Sequence, residues 1–108
     1  MGRETVEASL AMEMRRGTIV LVVLLCLDEP VYGYNLVEKL ASKGIPVEAN
    51  TLYPLLRRLS SQGLLDNRWD TSTSKPRKYY VITEKGKQVR GDLKNQWKKM
   101  AEAVNRMM

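Results

Sequence analysis

The chain has 108 residues and a net charge of +6, with one cysteine and no histidine. A length of this order holds a single domain whose modest core favours association between copies. One cysteine without histidine provides neither a zinc set nor a histidine-dependent nucleophile or general base, so no catalytic residue, metal or cofactor is expected.

Residues 1–16 carry Val6, Leu10 and Met14 at helical spacing on a charged background, an amphipathic arm whose stripe needs cover from outside. Arg3, Glu4, Glu7 and Glu13 interrupt the amino end too often for a secretion signal. The run Ile19 to Leu27 is wholly apolar but too short to span a bilayer, so a cytoplasmic protein without a membrane partner is expected. By pattern alone that run fits a buried strand or a buried helix. Thr18, as an N-cap, favours helix. Cys26 inside the run reads as an inert buried thiol, and Asp28-Glu29-Pro30 ends the element.

Tyr32 to Gly44 reads as the next helix, with Leu36, Val37, Leu40 and Ala41 inward and Gly44 as its stop. After the turn Ile45 to Glu48 comes the stretch Asn50 to Gly63. Its Leu52, Leu55, Leu56 and Leu59 fall at i, i+3, i+4 and i+7, the stripe of a helix facing a core. The opposite side carries Asn50, Pro54, Arg57 and Ser61, flanked by Tyr53 and Arg58, and no acid. Asn50 or Thr51 can cap this helix, which would put Pro54 in the first turn, where its missing N–H costs nothing. Gly63 with Leu64 fits a left-handed stop and its apolar contact. Two short helices joined by a tight turn, the second with a polar outer face, are a helix-turn-helix.

Leu64 to Asp70 and Arg77 to Thr83 are rich in aromatic and β-branched residues around a polar Thr71 to Pro76, which reads as a β-hairpin, a wing with Lys75, Arg77 and Lys78 at its tip. Thr83 then caps a last helix. Along it Val89, Leu93, Trp97, Met100, Val104 and Met107 recur in steps of four and three, the pattern of a helix–helix seam. Pairing with a second subunit, through the same helix or the N-terminal arm, is expected; packing on its own domain is the alternative. Charge divides along the same line. Residues 1–50 hold five cations against seven acids, and residues 51–108 hold 13 cations against five, so a polyanion would meet the second half.

Tyr32-Gly33-Tyr34, Thr51-Leu52-Tyr53-Pro54-Leu55-Leu56-Arg57-Arg58-Leu59, Gly63-Leu64-Leu65, Trp69, and Pro76-Arg77-Lys78-Tyr79-Tyr80-Val81-Ile82-Thr83 with Gly86 together resemble the PadR family of bacterial transcriptional regulators. The resemblance covers about Arg16 to Trp97, and the single C-terminal helix resembles the short-chain branch that includes multidrug-sensing repressors. It implies a mainly α chain with a small β-hairpin: a winged helix-turn-helix DNA-binding domain with an N-terminal helical arm over residues 1–83 and a C-terminal dimerisation helix over 84–108. It also implies a homodimer repressing at a pseudo-palindromic double-stranded operator. In the multidrug-sensing members a tryptophan on the last helix lines a flat apolar pore and stacks on planar drugs; Trp97 matches it, and Leu93, Met100 and Met12 would share the space around a planar hydrophobic or cationic ligand.

For DNA contact, the guanidinium of Arg57 matches the two major-groove acceptors of guanine. Asn50, Thr51, Tyr53 and Pro54 would lie near base edges and thymine methyls, with Arg58 beside them. Lys75, Arg77, Lys78 and Tyr32 would hold the backbone. The family usually has glycine at the position of Asn50 and a glycine beside the proline of the wing tip; asparagine tolerates the left-handed region and can cap, so the turn is expected to survive. A winged helix that docks protein rather than DNA is the alternative reading.

Overall fold

The computed structural model describes residues 2–108. Met1, which opens the expected arm, and the side chains of Arg3 and Glu4 lie outside the described residues. The elements run α1 (Arg3–Arg16), α2 (Ile19–Leu25), β1 (Val31–Tyr32), α3 (Gly33–Ser42), α4 (Ala49–Ser61), β2 (Leu65–Asp70), β3 (Arg77–Ile82) and α5 (Glu84–Met107). This is the expected mainly α chain with a hairpin wing.

The apolar run forms a helix from Ile19 to Leu25, whose Val23 and Leu24 are buried in a core with Leu27, Leu36, Leu40, Leu52, Leu56 and Leu59. Thr18 occupies the N-cap position but its hydroxyl makes no capping bond. Val31 and Tyr32 pair with Tyr80 and Tyr79 as a two-residue third strand, giving an antiparallel sheet of order β1-β3-β2. So short a strand carries no alternation to read. It moves the start of α3 to Gly33, and Ala41, expected inward, is exposed.

α3 and α4 each end in the same device. Gly44 and Gly63 adopt φ of 89° and 79°, and the next residue's amide reaches back to the third-last carbonyl, Ile45 to Leu40 and Leu64 to Leu59. The start of α4 differs from expectation. Its N-cap is Glu48, without a side-chain bond, and Asn50 and Thr51 sit within the first turn; no non-glycine residue among those described has positive φ. Pro54 therefore lies in the second turn and deprives the Asn50 carbonyl of an amide partner. Asn50 lies on the exposed side of the helix.

Thr83 caps α5 as expected, its Oγ1 accepting from the Gly86 amide at 3.0 Å and donating to the Gly63 carbonyl at 2.7 Å. Val89 and Leu93 pack on the molecule's own core, and Arg90 donates to Asp28 Oδ1 at 2.7 Å. The seam is thus divided. Its first part is internal, while Trp97, Met100, Val104 and Met107 are exposed, as are Val6, Leu10 and Met14 of α1. The radius of gyration of 15.8 Å exceeds the roughly 13 Å of a compact chain this long, because both terminal helices project from the core.

Gly86 passes so close to Leu64 that a Cβ there would lie 2.2 Å from its carbonyl oxygen and 2.6 Å from Ile82 Cγ1. Gly86→Ala should lower stability by about 2 kcal/mol or more in urea unfolding. Gly91→Ala, on the same helix but meeting nothing within 4 Å, should raise it by about 0.5–1 kcal/mol. Equal effects at the two sites would contradict this packing.

Candidate nucleic-acid interface

The outer face of α4 is open. Asn50, Thr51, Pro54, Arg57 and Arg58 are all exposed, and among the described residues neither guanidinium forms an ion pair. Arg57 and Arg58 diverge, as neighbours on a helix must. Arg58 borders a groove of about 400 Å³ with Arg16, Ile19, Thr51 and Pro54. Tyr53 is half-buried instead, its ring lying against Gly33, where a Cβ would come within 2.7 Å of Cε1. The glycine of the Tyr-Gly-Tyr motif thus has a packing reason: a side chain at 33 would have to displace the Tyr53 ring.

The wing pairs Leu65 to Asp70 with Ile82 to Arg77 in unbroken register, and its exposed turn carries Lys75. Arg77 does not point freely away from the tip. Its Nη1 donates to Tyr34 Oη at 2.9 Å, Nη2 lies 3.7 Å from Asp70 Oδ2, and the guanidinium sits 4.4 Å from the centre of the Tyr32 ring. The Tyr32 hydroxyl donates to Asp70 Oδ2, and its ring stacks on Tyr34 at 5.9 Å. Tyr32 and Arg77, both expected on phosphates, are therefore engaged with each other and with Asp70 in a latch between the wing and the start of α3. Lys78 belongs to the opposite sheet face, 5.7 Å from the Trp69 ring centre.

Sequence reasoning missed Tyr34, Trp69 and Asp70. Two of them had a legible signal: Asn67, Trp69 and Leu65 alternate with Asp66, Arg68 and Asp70, so Trp69 shares a face with core residues and Asp70 does not.

The residues expected at a ligand pore fall in two places. Met12 is exposed and lines a cavity of about 380 Å³ with Arg15, Ile19, Val37 and Val47. Trp97 and Met100 stand exposed on α5. Leu93, expected beside them, packs instead on its own core, since α5 lies against α2 at that level. Among the described residues no cluster of His, Cys, Asp and Glu could hold a metal, and no helix is long and apolar enough to cross a membrane.

The latch has an acid titration of its own. The Ser72 hydroxyl, then the Tyr32 hydroxyl and the Ser72 amide, hold the Asp70 carboxyl down from 3.8 to about 2. The same bond raises the Tyr32 hydroxyl. A carboxylate depressed in the folded state stabilises the wing fully above the ordinary value, and that contribution is lost as pH falls through about 2. The Ser72 amide resonance should titrate with a midpoint near that value and stay flat in Asp70→Asn. A midpoint near 4, the ordinary carboxylate value, would mean that these donors do not hold Asp70.

Comparison with known proteins agrees with this geometry. Residues 20–92 match the Transcriptional regulator PadR-like family. The chain is similar to a PadR family transcriptional regulator from Eggerthella lenta DSM 2243, at 51% identity and a TM-score of 0.91 over 96% of this chain and 93% of that one. A PadR-like transcriptional regulator from Bacillus cereus is 33% identical with a TM-score of 0.78, over 88% of this chain and 95% of that one. Bacillus subtilis PadR, solved in complex with operator DNA, shares the fold at 22% identity and a TM-score of 0.65, over 70% of this chain and 45% of that one. Comparison with curated proteins gives no significant match. A family match across most of the chain, with a relative half-identical along nearly its whole length, means that this chain belongs to the PadR-like family of transcriptional regulators, which are not enzymes.

Proposed function

We propose that this regulator represses transcription as a homodimer on a pseudo-palindromic operator, each α4 lying in a major groove. The observation that carries the reading is the outer face of α4: exposed, free of acids, and bearing an Arg57 that no carboxylate among the described residues neutralises. A solvated arginine of this kind matches O6 and N7 of guanine with two parallel hydrogen bonds. Asn50, Thr51 and Pro54 lie near base edges, Tyr53 and Arg58 flank them, and Lys75 and Lys78 hold the backbone. The arrested Arg77 and Tyr32 set the wing's position in this scheme rather than gripping phosphate. Bacillus subtilis PadR, with the same fold, was solved in complex with operator DNA, which supports the operator-binding reading.

The dimer reading rests on exposed apolar residues at helical spacing: Trp97, Met100, Val104 and Met107 along α5, and Val6, Leu10 and Met14 along α1. Residues 84–108 then serve as the dimerisation helix of a module spanning 1–83. A planar hydrophobic or cationic ligand would stack on Trp97 near Met100, with Met12 supplied across the interface and Leu93 behind. Such a ligand changes repression only by binding one spacing of the two wings better than another.

Binding to an operator selected from the DNA upstream of the protein's own coding region tests the first half. Arg57→Ala should relax preference at one base pair by roughly 1–3 kcal/mol, whereas Lys75→Ala should weaken all sequences alike and flatten log K against log salt by about one unit. Equal affinity of the unmutated protein for operator and random duplex would overturn the sequence-reading role. Sedimentation tests the second half. The parent should be a stable dimer at micromolar concentration and Val104→Glu a monomer; a monomeric parent would remove the switch.

A further inference from the structure

In the wing, Leu65 opposes Ile82, Asn67 opposes Tyr80 and Trp69 opposes Lys78, and opposed residues of antiparallel strands share a face. That face is the inner one, since Leu65, Tyr80 and Ile82 are buried. Trp69 therefore occupies a core-facing register position. It is nevertheless 62% exposed. The indole borders a cleft of about 250 Å³ whose other walls include Tyr34, Tyr53, Pro76, Lys78 and the Arg77 already held by Tyr34 and Asp70. No acid lines this cleft; Asp70, next in sequence, faces the other way and is held by Ser72 and Tyr32.

The chemistry of the walls selects an occupant. The Lys78 ammonium stands 5.7 Å from the Trp69 ring centre and 5.8 Å from that of Tyr80, a cation held over aromatic faces at the mouth of the cleft. Tyr34 Oη accepts from Arg77, which leaves its own proton to donate. An apolar ring beside a cation and a hydroxyl donor suits a group that is apolar on one side and anionic on the other. A base is not such a group, and in a duplex it reaches a side pocket only by flipping, at a cost of a few kcal/mol.

We propose that this cleft seats one sugar-phosphate unit of duplex DNA, with Trp69 covering the deoxyribose and Lys78 and Tyr34 meeting the adjoining phosphate. The assignment rests on the DNA-binding reading and adds to it two residues, Trp69 and Tyr34, that the basic surface alone does not mark. Backbone contacts of this kind fix register and carry no base preference.

A random-sequence duplex at low salt is therefore the appropriate probe. Trp69→Ala should weaken binding about tenfold without changing the salt slope, since the indole's interaction with the sugar is apolar, while Lys78→Ala should flatten that slope by about one unit. Trp69→Phe, which keeps an aromatic ring, should stay within about threefold of the parent. On saturation with duplex the parent should gain protection of its tryptophan emission from iodide, and the Trp69→Phe protein should lack that gain. Parent-like affinity in Trp69→Ala, or an equal gain of protection in Trp69→Phe, would overturn the seat while leaving DNA binding intact. Failure of the parent to bind any duplex would instead remove the DNA-binding reading, and the seat with it.

Discussion

The fold turns on one crowded corner, where the chain leaving α4 meets the chain entering α5. The Leu64 carbonyl accepts the Thr83 amide at 3.0 Å and is brushed by the backbone of Gly86, while the Ile82 amide reaches the Leu27 carbonyl at 2.8 Å. Lys85 adds a cation at the end of α4, donating to the Gln62 carbonyl at 2.9 Å, where the helix dipole favours positive charge. Four elements are thereby locked in one mutual orientation: α4, both strands of the wing and the first turns of α5. A backbone hydrogen bond can be replaced by water at modest cost, but a missing Cβ cannot be replaced by anything, so the glycine is the stricter constraint.

How far these features can be read from residues follows from the range of the forces behind them. Both glycine stops, the Thr83 cap and the two strands of the hairpin depend on a few neighbouring positions, and each stands in the structure where the residues indicate. The helical form of Ile19 to Leu25 and the third strand at Val31 and Tyr32 depend on distant partners instead. A two-residue strand exists only because Tyr79 and Tyr80 present an edge to it. The start of α4 departs from its residue pattern: Asn50 and Thr51 are good caps, yet the helix begins at Ala49 and Glu48 caps it without a side-chain bond.

The interface shows the same division more sharply. Charge and exposure along α4 follow from helical period, so Arg57 and its neighbours are visible as a surface in the residues alone. Arg77 is equally basic and lies close to the tip, yet its partners come from residues 34, 32 and 70, which no local pattern connects to it. A cation already engaged by a hydroxyl, a ring and a carboxylate gives up part of those contacts if it turns to phosphate, so its charge alone does not mark it as a DNA contact.

In a symmetric dimer that rigidity has a mechanical consequence. If the corner at Leu64 and Gly86 fixes the wing and α4 to the base of α5, little within one subunit can bend between the proposed ligand seat and the DNA. The half-sites of a pseudo-palindromic operator are set about 34–36 Å apart, or multiples of that distance, by the pitch of the duplex. In the proposed dimer a small rotation at the interface near Trp97 would be carried through α5 into the spacing of the two α4 helices. Coupling of this kind needs no chain of shifting side chains. It needs only an interface with two packings and a subunit too stiff to absorb the difference between them.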